Sequence, residues 1–278
     1  MPGPMATAAA EACLRKGMDL APFCLTGPDI DEAEIEVTDP DTKRSQKVTL
    51  VPSSKIDGLV EKLGGVEGTV AIDYTHPSAV NGNGEFYVKN RIPFVMGTTG
   101  GDRDLLMETV TSPSPHYCVI APNMGKQIVA MQNALEFLQT RFPASFEGYT
   151  LKVTESHQKK KADTSGTALA VIDSIKGMVG SKCTFQQDEI NMLRDDASSK
   201  DFGVPEEYLD AGHAFHTYTL TSPDGSVEFE LKHNVCGRRV YAEGTADAVK
   251  FLAKQVEELG EGGAKVFNMI DVLEAGAL

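Results

Sequence analysis

Apolar and polar positions alternate or recur along most of this chain, and the pattern divides it into short strands and longer helices. Tyr149, Leu151 and Val153 alternate with Thr150, Lys152 and Thr154, the period of a half-buried strand. Leu169, Ile172, Ile175 and Met178 then follow a helical spacing. Earlier, a Gly/Pro turn leads into an Ala-rich helix ended by Gly17, and a strand is expected over Leu20–Cys24. A hairpin is expected from Glu34–Val37 and Lys47–Val51 around Asp39-Pro40-Asp41. A helix over Ser54–Leu63 precedes a strand over Thr69–Tyr74. Pro77 suits the first turn of the next helix, whose middle Asn81, Gly82 and Gly84 weaken. Strands follow at Pro93–Met96 and Tyr117–Ala121, the first ending in Gly97-Thr98-Thr99-Gly100.

Beyond Pro122 the rhythm changes. Ile128, Met131, Leu135, Leu138 and Phe142 mark one long amphipathic helix. Strands are expected near Phe185–Leu193, Phe215–Thr221 and Val227–His233, the last two joined by Pro223-Asp224-Gly225. Residues 196–212, polar and Gly/Pro-bearing, read as a mobile loop. Ala246, Val249, Leu252, Val256 and Leu259 return to a helix, and Met269–Leu273 forms a short last one. Turn, helix, strand at the start is the second half of a Rossmann βαβ unit. The first half is not in this sequence, so the reading expects a short β-branched strand ahead of Met1, with a plastid-targeting segment before that.

The stretch from Glu155 to Ala168 carries the chemistry. A strand runs into a basic loop, and the loop into a helix that starts Thr164-Ser165-Gly166-Thr167. A helix N-terminus offers free N–H groups and about half a positive charge. Ser165 and Thr167 add hydroxyls, and Gly166 lets the backbone approach a ligand. His157, Lys159, Lys160 and Lys161 gather there in a chain whose net charge is -14. A capped helix after a solvated basic turn accounts for the same residues. The combination favours a site that binds carboxylate and donates a proton.

The acidic balance, 40 Asp and Glu against 26 Lys and Arg, argues against nucleic acid. No apolar run approaches the ~20 residues of a membrane helix. The five cysteines, Cys13, Cys24, Cys118, Cys183 and Cys236, form no Cys-x-x-Cys pair, which favours a reducing compartment. Cys24 and Cys118 sit in apolar runs and read as core. His213 and His216 are three apart with no ligand pattern around them, so no metal is expected.

The run Glu155-Ser156-His157, with Lys161, Asp163 and Ser165-Gly166-Thr167-Ala168, resembles the signature of the dihydrodipicolinate reductases of lysine biosynthesis. Gln158 replaces that family's second His, and the usual Pro before Ser-Gly-Thr is absent; both departures are similar to the plant-type branch. The resemblance extends over Met96–Gly100, Ala121–Lys126 and His233–Arg238. Gly3 and Met5 match the second Gly and the Met of the nucleotide loop, with Ala6 for its last Gly.

The resemblance implies an α/β fold of two domains. One is a Rossmann-like parallel-sheet dinucleotide-binding domain lacking its first strand, residues 1–124 and 241–278. The other, residues 125–240, is an α+β substrate-binding and oligomerisation domain with a mixed open sheet. Asn123–Gly125 and Arg239–Glu243 would be the two hinge strands between them. It further implies reduction of dihydrodipicolinate, or its hydrated precursor, to tetrahydrodipicolinate. His157 and Lys161 are the implied catalytic pair, and Ser165, Gly166 and Thr167 hold the substrate dianion. Gly3, Pro4, Met5, Gly97, Thr98, Thr99, Pro122, Asn123, Met124 and Arg238 are implied to bind cofactor. The expected second strand ends in Phe23-Cys24-Leu25-Thr26-Gly27 without an acid before Asp29, which favours NADPH and leaves NADH open. A homo-oligomer, dimer or tetramer, is implied, in plastid stroma or cytoplasm. A Rossmann reductase of another small imine or carbonyl compound, and a non-enzymatic cofactor-binding relative, are the rival readings.

Overall fold

The computed structural model describes residues 1–55 and 68–276. In chain order come α1 (Pro4–Arg15), β1 (Phe23–Thr26), β2 (Ala33–Thr38), β3 (Ser45–Pro52), β4 (Ala71–Asp73), α2 (Val80–Lys89), β5 (Phe94–Met96), α3 (Arg103–Thr111) and β6 (Cys118–Ile120). Then follow α4 (Lys126–Arg141), β7 (Thr150–His157), α5 (Gly166–Val179), β8 (Asn191–Leu193), α6 (Asp196–Asp201), α7 (Tyr208–Ala211), β9 (His213–Thr221) and β10 (Glu228–Cys236). The last are α8 (Arg239–Leu259), β11 (Val266–Phe267) and α9 (Met269–Glu274). Two compact units result: Met1–Lys126 with Arg239–Leu278, and Gln127–Arg238.

The first unit is Rossmann-like. Its parallel sheet has the order β11-β6-β5-β4. Phe94, Val95 and Met96 are all buried, as both-faced burial of a parallel strand requires. A second sheet, β1-β3-β2, pairs β1 parallel and β2 antiparallel to β3. Pro4 starts α1, and Gly17, at φ +81°, ends it: Gly17 N–H bonds Leu14 O and Met18 N–H bonds Cys13 O, which satisfies two terminal carbonyls. The small residues Ala12, Ala242 and Ala246 let α1 lie close against α8. On α8, a Cβ on Gly244 would fall 1.7 Å from the backbone oxygen of Met124, so only glycine fits there.

The second unit is α+β. Its sheet is mixed, β10-β9-β7-β8, with only the β7–β8 pair parallel. Val153, Tyr218 and Leu220 pack against Ala168, Val171, Ile172 and Ile175 of α5. The alternation read along β7 is the alternation of a sheet with one helix-covered face.

Several expectations shift. The strand near Leu20 starts at Phe23, after Pro22. Helix α2 forms despite its glycines, because a Cβ on Gly84 would meet Leu106 of α3 at 2.7 Å: the glycine is where two helices touch. Within Phe185–Leu193 only Asn191–Leu193 is strand; Gln187–Glu189 makes a 3₁₀ turn held by reciprocal Gln186 and Glu189 bonds. Residues 196–212, expected as a mobile loop, contain α6 and α7. Asp195 caps α6 by accepting from Ser198 N–H, and Val204 and Leu209 are buried. Of the two expected hinge strands, Arg239–Glu243 is the start of α8 and Asn123–Gly125 is irregular chain between β6 and α4. Helix α3 was not anticipated. Cys118 is core, whereas Cys24 is half-buried. Of the helix expected over Ser54–Leu63, all beyond Lys55 lies outside the described residues.

Candidate active site

In the second unit, strand register assembles the site. Glu155 of β7 stands opposite His216 of β9, and His216 stands opposite His233 of β10. Alternation puts His157 on the same face, two residues beyond Glu155. Four side chains from three strands thus share one end of one sheet face. All but His233 are buried: Glu155 is 0%, His216 1% and His157 7% exposed.

Hydrogen bonds fix them. His157 Nδ1 lies 3.0 Å from His213 O, and His157 Nε2 lies 3.2 Å from His216 Nε2. His216 Nε2 is 3.6 Å from Glu155 Oε2. The His216 ring stacks on His233 at 4.5 Å between centroids, and the Tyr218 hydroxyl reaches His233 Nε2 at 3.3 Å. Glu155 also accepts from Arg194 Nη2 and, at 3.2 Å, from Ser165 N–H. Glu155, His157 and His216 bring three ligand-type atoms within 4.8 Å of one another. With Arg194 and Ser165 already on the carboxylate, they form a hydrogen-bonded cluster.

Burial lowers the His157 pKa, the nearby His216 charge lowers it further, and Glu155 opposes both. Burial alone would raise the Glu155 pKa. The adjacent His216 ring, with hydrogen bonds from Arg194 and Ser165, overrules it and holds the carboxyl well below its usual range. The neutral form of His157 and the ionised form of Glu155 are therefore favoured.

The basic loop is shaped from behind by Arg194, whose Nε donates to Lys161 O at 2.7 Å. Lys161 Nζ, partly exposed, pairs with Asp163 at 2.9 Å, and Lys159 pairs with Asp196 at 2.6 Å. Ser165 caps α5, accepting from Ala168 N–H. Gly166 is exposed, with open space where a Cβ would stand. Lys161 thus faces solvent near a helix N-terminus, while His157 is turned inward behind it.

In the first unit, the loop after β5 is built on Asp73. This buried carboxylate accepts from Thr98 Oγ1 at 2.6 Å, Thr75 Oγ1 at 2.8 Å, Asn83 Nδ2 at 2.8 Å and Tyr87 OH at 3.0 Å. A Cβ on Gly97 would overlap the Tyr74 ring at 2.4 Å, and Tyr74 OH donates to Thr245 Oγ1 at 2.5 Å. Met5, Tyr74, Thr75, Pro77, Gly97, Thr98 and Thr99 line a cleft of about 240 Å³. Gly3 is the N-cap of α1 and makes no side-chain cap, so the first N–H groups of that helix have no side-chain acceptor at that position. Pro4 follows it at the first helical position. After β6, Asn123 Oδ1 accepts from Gly125 N–H, Met124 is buried and Pro122 exposed. Arg238 belongs to the other unit, where it donates to Ala211 O at 3.1 Å.

The sequence reading gave no site role to Arg194, nor to Tyr74, Thr75 and Pro77 of the cleft; it weighed His216 only as half of a rejected metal pair and met His233 only as the start of a matching stretch. Glu155 appeared only as a motif letter. Helical and strand periods could not supply the register that unites them.

Two family descriptions match this chain: "Dihydrodipicolinate reductase, N-terminus" over residues 8–124 and "Dihydrodipicolinate reductase, C-terminus" over residues 128–273. A probable chloroplastic 4-hydroxy-tetrahydrodipicolinate reductase 1 of Oryza sativa subsp. japonica is 43% identical over 278 residues, 99% of this chain and 77% of the relative. The chloroplastic 4-hydroxy-tetrahydrodipicolinate reductase 2 of Arabidopsis thaliana is 52% identical over 208 residues, 74% of this chain and 58% of that protein. A dipicolinate-bound dihydrodipicolinate reductase from Paenisporosarcina sp. TG-14 shares the fold, with a TM-score of 0.64 at 17% identity over 96% of this chain and 94% of its own.

Proposed function

The chain belongs to the dihydrodipicolinate reductase family, and we propose that it acts as a plant-type 4-hydroxy-tetrahydrodipicolinate reductase in the diaminopimelate route to lysine. The observation that carries this reading is the junction of β7 and α5. There Lys161 and the N-terminus of α5 can receive a small dicarboxylate, with His157 behind them.

Reduced nicotinamide, when bound, supplies the hydride. The residues of the first unit fit such a cofactor: the glycine loop after β5, a helix N-terminus capped by Gly3, and a cleft between Met5 and Thr99. Gly3, Pro4 and Met5 would meet the pyrophosphate, and Gly97, Thr98 and Thr99 the nicotinamide ribose, with Pro122, Asn123 and Met124 completing the set. β1 ends at Thr26, and no carboxylate follows before Asp29, which supports NADPH over NADH.

Hydride addition leaves negative charge at the far end of the conjugated substrate, and a proton must follow. Lys161 holds one carboxylate, and Ser165, Gly166 and Thr167 hold the other. His157 supplies the proton. The domain of residues 125–240 binds substrate and the domain of residues 1–124 and 241–278 binds cofactor. Exposed Phe137, Phe142 and Phe229 support a homo-oligomer through the substrate domain. Plastid stroma is the proposed compartment, by likeness to the chloroplastic relatives. No helix among the described residues is long and apolar enough to cross a membrane.

Turnover of enzymatically generated dihydrodipicolinate with NADPH and NADH tests the reading. Oxidation of NADPH that depends on this substrate is expected, with a larger kcat/KM than for NADH. Cofactor binding without turnover would leave the non-enzymatic reading standing.

A further inference from the structure

We infer that His216 is a positioning residue that acts through His157: the two rings share one mobile proton, drawn in by a dianionic substrate and balanced by Glu155. This rests on the reductase reading above and adds residues to it.

Hydrogen-bond chemistry fixes the starting state. The His213 carbonyl can only accept, so His157 carries its hydrogen on Nδ1. The Nε2 of a neutral His157 is then an acceptor, and the only group within hydrogen-bond distance of it among those described is His216 Nε2, at 3.2 Å. His216 must therefore donate from Nε2, which leaves its Nδ1 as a bare lone pair. That Nδ1 is buried and has no hydrogen-bond partner among the described residues. A buried polar atom left unpaired is costly and calls for a function.

A proton placed on that Nδ1 makes the arrangement productive. His216 can then pass its Nε2 hydrogen across to His157 Nε2 while keeping the new one on Nδ1. One proton enters at His216 and one becomes available on His157; each ring makes the same number of bonds as before. When His157 gives its Nε2 proton to the substrate carbon, both rings are neutral but the His216 hydrogen now sits on Nδ1; uptake of a solvent proton at His216 Nε2 and loss of the Nδ1 hydrogen restore the starting tautomer, for a net consumption of one solvent proton per turnover.

The surrounding charges decide when the pair can hold it. Glu155 on β7 attracts the proton; Arg194 after β8 and Lys161 in the loop repel it. His233 and Tyr218, from β10 and β9, contribute neutral rings beside His216. A dianion seated on Lys161 and the α5 N-terminus cancels the nearest repulsion. Substrate binding is therefore what charges the pair.

The test uses His216→Gln, which retains an Nε2 donor toward His157 but cannot titrate. Pyridine-2,6-dicarboxylate is titrated into the full chain by calorimetry in buffers of differing ionisation enthalpy. The parent should take up about one proton per site on binding. His216→Gln should bind while taking up close to none, and its kcat should fall about 100-fold with loss of the parent's pH dependence. As a check on the unsubstituted chain, nitrogen-15 histidine spectra should show His157 and His216 changing together on adding the dicarboxylate. Unchanged proton uptake in His216→Gln, or a His157 resonance that changes while His216 does not, overturns the inference and leaves the reductase reading intact. Failure of the parent to bind the dicarboxylate overturns both.

Discussion

Glu155 accepts the backbone N–H of Ser165 at 3.2 Å, and so ties the end of β7 to the first turn of α5 across the basic loop. The same carboxylate holds Arg194, which in turn grips the loop at Lys161 O. One buried side chain therefore sets the shape of the proposed anion seat. Glu155→Gln should cost about 3 kcal/mol, because it leaves a largely buried guanidinium without its partner. Urea denaturation will measure this. If Arg194→Met in the same chain recovers none of the loss, the pair is not its source.

His157→Gln should lower kcat by about 10²–10⁴-fold, as removal of a proton donor does. The comparison is a set of kcat profiles over pH for parent and variant. Superimposable profiles would dismiss the ring from the reaction.

Lys161→Ala should raise KM for substrate and weaken pyridine-2,6-dicarboxylate, while NADPH affinity measured by fluorescence stays unchanged. A variant that lost NADPH and kept the dicarboxylate would place Lys161 on the wrong ligand.

Acid should weaken the fold in two stages. Burial, with a smaller contribution from the His216 charge, lowers His233 to about 4. An unfolded histidine titrates near about 6.5, so between those values the unfolded chain takes a proton that the folded chain refuses. Stability is level above that window and falls as the pH drops through it. Glu155 adds a second loss below about 4.3, where unfolded carboxylates protonate and the native one stays ionised. Urea midpoints across pH should show both stages, with the first reduced in His233→Gln. A midpoint that rises on acidification would contradict the buried, neutral histidine.

Gly244→Ala should destabilise by about 3 kcal/mol, since the added methyl would overlap the Met124 carbonyl oxygen and one helix must shift to admit it. The urea midpoint reads this directly; a neutral outcome would mean that α8 moves freely.

Much of this architecture was legible from spacing alone. The alternation at Tyr149–Thr154 located β7, and Leu169, Ile172 and Ile175 located the buried face of α5. The Thr98–Gly100 turn was legible because glycine and threonine after a short apolar strand have few other uses. Helix α3 was missed although Asp102 and the Leu106–Val110 spacing carried its signal, because only two of its side chains reach the core. The histidine cluster was illegible for a different reason. Glu155, His216 and His233 meet only through strand register, which turns and side-chain packing set at long range. Arg194 joins them from just after the short strand β8, whose three residues carry no periodic signal.

The two outer strands of the mixed sheet also govern how safely this chain can fold. β8 offers a second molecule only three residues to pair with. β10 is longer, but its outward face carries Glu228, Glu230 and Lys232, and like charges would meet if two such strands aligned in parallel and in register. Brevity on one side and charge on the other discourage stray strand pairing while the chain is still assembling. Replacing Glu228 and Glu230 with threonine would leave the finished sheet intact and expose newly made chains to aggregation.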